Sequence, residues 1–112
     1  MQENSQIQHG KLISIGSFQK IDPEEIVLFV ADINYTVVYL NSGRQLLVST
    51  HLKEIQNRFK SETFYRTHKS FFINLKYIKE LKLENSKLKM QNDIDVTISR
   101  RKKDGLIRVI KN

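Results

Sequence analysis

Two short segments carry most of the side chains able to do chemistry. Residues 64–74 (FYRTHKSFFIN) place Arg66, His68, Lys69 and Ser70 among aromatics, ahead of an apolar run that stops at Asn74. Residues 99–103 read Ser-Arg-Arg-Lys-Lys, with four consecutive cations that cannot all be paired internally. Lys and Arg neutralise phosphates, and the Arg fork can also take a guanine edge with two hydrogen bonds. Lys79, Lys82, Lys87 and Lys89 form a third cationic group, interspersed with Glu80 and Glu84. That mixture reads as a solvated, mutually paired face. For the first two groups the competing explanations are an ordinary solvated edge and a solvated terminal helix or loop.

Catalytic chemistry has little support. His9, His51 and His68 stand in unrelated contexts without metal-ligand spacing, and the chain has no cysteine. No carboxylate lies near His68 in sequence to orient it towards Ser70, so a nucleophile pair is not indicated. Gly10, Gly16, Gly43 and Gly105 are scattered, which leaves no phosphate-cradling loop. We expect a non-enzyme with no catalytic residues, no metal and no cofactor.

Charge distribution points the same way. The net charge is +7, yet residues 1–50 carry three cations and five acids, and residues 51–112 carry sixteen cations and seven acids. Such asymmetry suits a polyanionic partner, nucleic acid or an anionic membrane surface. With 39% hydrophobic and 28% charged residues the chain reads as one soluble globular domain. No apolar run approaches the roughly 20 residues that span a bilayer, so no membrane insertion is expected. The start is polar and lacks a signal-peptide core. A cytoplasmic location is the expectation.

The elements that must position these groups are mostly strands. Residues 1–10 read as a flexible arm or linker remnant ahead of a domain over 11–112. Residues 11–18 could form a strand. Asp22 can cap a short turn with Pro23 at its first helical position. Residues 26–31 (IVLFVA) are apolar on both faces, as in a central strand, and 35–40 and 45–49 complete an antiparallel meander through turns at 32–34 and 41–44. One short α-helix is expected near 50–59, capped by Ser49 or Thr50, with Leu52, Ile55 and Phe59 as its apolar stripe. That stripe serves the core, so the helix is a poor recognition helix. Residues 64–74 read as a single strand. Strands over 77–84, 87–91 and 95–99 follow, and 106–110 read as β-like. The residues point to a mainly β fold of many short strands with one helix.

Three blocks of this sequence resemble the LytTR-type DNA-binding domain of bacterial transcription regulators. They are Ile21-Asp-Pro-Glu-Glu-Ile26 through Ala31-Asp-Ile-Asn-Tyr-Thr36, Leu47-Val-Ser-Thr-His-Leu-Lys-Glu-Ile55, and Phe64-x-Arg66-x-His68-x-Ser70-x-x-x-Asn74 followed by Ile78. The ending Val96-x-Ile98-Ser99-Arg100-Arg101 also fits. Together they span most of residues 12–104 in order.

The resemblance implies that the strands form several small antiparallel sheets in an elongated arrangement. It also implies loops inserted into successive major grooves of double-stranded DNA at promoter repeats. Asn34, Tyr35, Lys69 and Arg100 would read bases, Arg66 would mainly hold phosphate, and His68 would join them; the cationic run itself adds Arg101 and Lys102 as candidate DNA contacts. Asn74 would close a turn. Lys at position 69 suits guanine acceptors, whereas some relatives carry Asn there, which suits adenine. Such domains usually follow a receiver domain, so a stand-alone regulator or an excised output domain is expected, served by an upstream receiver or sensor. A monomer in solution and a dimer on tandem sites are implied. The alternatives are an RNA-binding β module that stacks bases on Phe71 and Phe72, and a protein-interaction module that pairs through sheet edges.

Overall fold

A computed structural model describes residues 12–16, 20–59 and 63–111. The expected arm over residues 1–10 lies outside the described residues. The chain forms β1 (Ile13–Ser14), β2 (Lys20–Ile21), β3 (Ile26–Asp32), β4 (Tyr35–Leu40), β5 (Gln45–Val48), α1 (Leu52–Arg58), β6 (Phe64–His68), β7 (Phe71–Asn74), β8 (Ile78–Lys82), β9 (Lys87–Met90), β10 (Asp95–Thr97) and α2 (Arg100–Lys111). The strands make three antiparallel sheets: a β1–β2 ribbon, a five-stranded sheet in the order β5-β4-β3-β7-β6, and a three-stranded sheet in the order β10-β9-β8.

Strand β3 sits at the middle of the large sheet, which explains why its sequence is apolar on both faces. One face buries Ile26 and Phe29 with Val38, Val48, Leu52, Ile55, Phe59, Phe64 and Phe72. Phe29 there meets Phe59 edge-on at 5.3 Å and stacks with Phe72 at 5.8 Å. The other face buries Val27 and Leu28 with Ile73, Leu88, Met90, Val96, Ile98 and Leu106. Adjacent residues Ile26, Val27, Leu28 and Phe29 are all buried because each face of β3 has its own cover, α1 with the β1–β2 ribbon on one side and β8–β10 with α2 on the other.

Local chemistry ends the elements as the residue types dictate. Asp22 caps a 3₁₀ turn at Pro23–Glu25, its carboxylate accepting from the Glu24 amide at 2.9 Å. Gly43 takes φ 95 in the β4–β5 turn. Buried Asn74 closes β7: its side chain accepts from the Lys76 amide at 3.1 Å and donates to the Ile26 carbonyl at 2.9 Å. It therefore ties the start of β3 to the end of β7.

Three expectations need correction. Residues 64–74 are not one strand but a hairpin, with His68 opposite Phe71 and Phe64 opposite Asn74. The turn at Lys69 and Ser70 lets Phe72 and Phe64 reach the same core. Residues 106–110 are not β-like; they belong to α2, so there are two helices. Their β-branched residues suggested a strand, but Leu106 and Val109, three apart, both pack on the second core. At α1 the N-cap is His51, without a side-chain cap bond. The Thr50 carbonyl instead accepts from the buried Thr36 hydroxyl at 2.7 Å.

Asn74→Ala removes three hydrogen bonds of a buried amide, including a long one to the Pro23 carbonyl at 3.4 Å, and leaves the Ile26 carbonyl without its side-chain donor. We expect a loss of about 1–3 kcal/mol, read as a lower urea midpoint at unchanged m-value.

Candidate nucleic-acid interface

The sheet topology gathers the sequence-predicted groups at one end. Strand β3 leaves the core at the turn 33–34, and the Ala31 amide donates to the Ser70 carbonyl at 2.9 Å, so the β3–β4 tip lies beside the β6–β7 turn. At that same end the Ser99 amide donates to the Thr67 carbonyl at 2.8 Å, which sets the first turn of α2 against β6. The Thr36–Thr50 bond brings the start of α1 to this end as well. Four chain segments distant in sequence thus share one rim.

Within the rim lies an open groove of about 450 Å³ lined by Lys53, Gln56, Arg66, His68, Lys69, Ser99, Arg100, Arg101 and Lys102. Six of these are cations and none is a carboxylate. Several cations elsewhere find partners: Arg58 pairs with Glu54 at 2.6 Å, Lys79 with Asp93 at 2.8 Å and Lys89 with Asp95 at 3.0 Å, and Lys76 is paired with Glu24. The β8–β9 lysines are thus largely a mutually paired face, as their mixed sequence suggested. Lys53, Lys69, Arg100, Arg101 and Lys102 have no ion pair among the described residues.

Arg66 differs from the other groove cations. Its Nε donates to the His68 carbonyl at 3.0 Å, one terminal nitrogen to the Gln56 side chain at 2.6 Å and the other to the Lys69 carbonyl at 2.6 Å. Burial lowers its pKa from the ordinary guanidinium value, although such a group stays charged at physiological pH. Arg66 therefore braces the β6–β7 turn and joins it to α1, with fewer donors left for an outside anion. Opposite the brace, Nδ1 of His68 accepts from the Ser70 amide at 3.0 Å, which leaves Nε2 as the donor of the neutral ring. Lys69 is exposed at the turn.

Helix α2 begins with Arg100, Arg101 and Lys102 and has no acid in its first turn. Cations at the positive end of a helix dipole are unfavourable by about 0.3–1 kcal/mol each unless an anion approaches. The helix is held in place by Tyr65, whose hydroxyl donates to the Lys102 carbonyl at 2.8 Å. Burial raises the Tyr65 pKa, opposed by nearby Arg108, so the phenol remains a donor at physiological pH. Gly105 makes this approach possible, because a Cβ there would overlap the Tyr65 hydroxyl and lie 3.2 Å from its ring carbon.

Asn34 and Tyr35 do not line the groove. They stand exposed on the neighbouring hairpin tip, joined to the groove through the Ala31–Ser70 bond. Sequence reasoning left Lys53 and Gln56 out of the candidate contacts, because the helix 50–59 was set aside as a poor recognition helix whose apolar stripe serves the core. The polar face of the same helix was the available signal.

Gly105→Ala improves helix propensity by about 1 kcal/mol but forces the Tyr65 contact apart, and we expect a net destabilisation of about 1–3 kcal/mol. Tyr65→Phe in the same chain should recover part of that loss. A double-mutant cycle by chemical unfolding measures the coupling.

Residues 16–111 match the LytTr DNA-binding domain family. Among solved structures, the chain is similar to the LytTr DNA-binding domain of a protein described as a methyl-accepting/DNA response regulator from Bacillus cereus. The TM-score is 0.75 at 19% identity, over 90% of this chain and 98% of that one. No curated protein matches the sequence significantly. The match across nearly the whole described chain, on a fold that gathers six cations at one rim, identifies the protein as a member of the LytTr DNA-binding domain family.

Proposed function

We propose that this domain binds double-stranded DNA sequence-specifically as the DNA-reading part of a bacterial transcription regulator. The observation that carries the reading is the groove lined by six cations and no carboxylate, with no ion pair to any of the six among the described residues. Lys53, Arg101 and Lys102 neutralise phosphates and fix register, helped by the positive end of α2. Arg100 and Lys69 reach base edges in the major groove, with guanine acceptors as their natural partners. Arg66 shapes the turn that presents Lys69, and His68 offers its Nε2 proton. Asn34 and Tyr35 make a second contact from the hairpin tip, so two loops enter the DNA side by side. Two copies on tandem promoter repeats, governed by a receiver domain or sensor, fit the family to which the chain belongs.

The RNA alternative loses its physical basis. Phe72 is 2% exposed inside the aromatic core and Phe71 is half-buried against the second core, so the pair does not form an open stacking platform.

Selection from random duplex DNA should return a defined half-site. On that site Arg100→Ala should weaken specific binding by about 1–3 kcal/mol and relax preference at one position. Lys53→Ala should weaken all sequences alike and reduce the slope of log K against log salt by about 1. Affinity indifferent to salt would point instead to a protein partner.

A further inference from the structure

The β3–β4 tip carries an aliphatic residue where the backbone disfavours one. Three non-glycine residues among those described have positive φ: Ser86 at 54, Asp93 at 68 and Ile33 at 53. Ser and Asp are short polar residues that turns commonly use, and Asp tolerates the left-handed region. A β-branched residue is a genuine outlier there. Burial does not explain it, because Ile33 is 91% exposed, the most exposed of the large hydrophobics. The Ala31–Ser70 hydrogen bond holds this tip beside the turn that carries Lys69.

We propose that Ile33 is a specificity residue that packs against the 5-methyl group of a thymine. This rests on the duplex-DNA reading above. Among the four bases only thymine projects an apolar group into the major groove. Isoleucine offers a branched apolar surface with a restricted χ1, so little side-chain freedom is lost on contact. Asn34 follows directly, and an amide of that kind is the natural partner of the adenine N6 and N7 positions. The tip as a whole therefore fits an A·T step, while Arg100 and Lys69 favour guanine. Tyr35, 50% exposed beside it, can shield the methyl contact from water.

The test uses the full chain and the duplex obtained by selection, remade with single thymine-to-uracil replacements. Uracil keeps the base pair and lacks only the methyl group. The wild type should bind about fourfold more weakly at one replacement, equivalent to about 0.8 kcal/mol for one methyl-sized group. Ile33→Gly suits the positive φ and preserves the turn, which a thermal melt verifies. It should bind the thymine duplex about fourfold more weakly and no longer distinguish thymine from uracil. The inference is overturned if no thymine replacement affects the wild type, or if Ile33→Gly keeps the sensitivity. If selection returns no duplex at all, the DNA reading itself fails, and this inference falls with it.

Discussion

Everything at the binding rim depends on one strand being buried on both faces. Strand β3 spends Ile26 and Phe29 on one core and Val27 and Leu28 on the other, with β4 and β7 hydrogen-bonded along its edges. It has no exposed face along that stretch and can shift in register only by moving buried side chains into the wrong core. Its end at Asp32 is consequently a fixed point. The hairpin tip grows from that point, and the β6–β7 turn is pinned to it by the Ala31 amide. A few hydrogen bonds then suffice to place the remaining parts: Thr36 to Thr50 for α1, Thr67 to Ser99 for α2.

The opposite end of the sheet has a different character. Asp22, Glu24 and Glu25 lie around the first 3₁₀ turn, and Lys76 there is paired with Glu24. Tyr77 donates to the Glu24 carbonyl at 2.5 Å and accepts from Asn41 at 3.0 Å, closing that end on itself. The domain thus ties several polar groups to one another at one end, and at the other gathers six cations in a groove without a carboxylate. A protein selected for stability alone would gain by placing an acid in the first turn of α2. That α2 begins with three cations instead fits an end kept for an anionic partner.

The strands were legible because their residues alternate or run apolar, and the apolar stripe Leu52, Ile55 and Phe59 marked α1. Most of the cations that line the groove were legible in the 64–74 motif and in the run from Arg100 to Lys102. Three matters were not. The hairpin within 64–74 hid behind a two-residue turn, Lys69 and Ser70, with no Gly, Pro, Asn or Asp to mark it. Helix α2 hid behind Gly105 and a run of β-branched residues, and its real determinants, Leu106, Val109 and the Tyr65 tether, are tertiary. The brace formed by Arg66 was invisible as well, because its partners are two backbone carbonyls and a glutamine on α1. A motif can supply an arginine without disclosing whether it faces solvent or supports a turn.

The central claim is that one end of the sheet meets the DNA, through segments separated in sequence. Titrating the isotopically labelled chain with its selected duplex and following backbone amide shifts tests this directly. The account predicts perturbations at 33–35, 51–53, 68–70 and 99–102, and unperturbed amides at 24–25, 41–44 and 91–93. Perturbations centred on the β8–β10 sheet, with the rim silent, would contradict it.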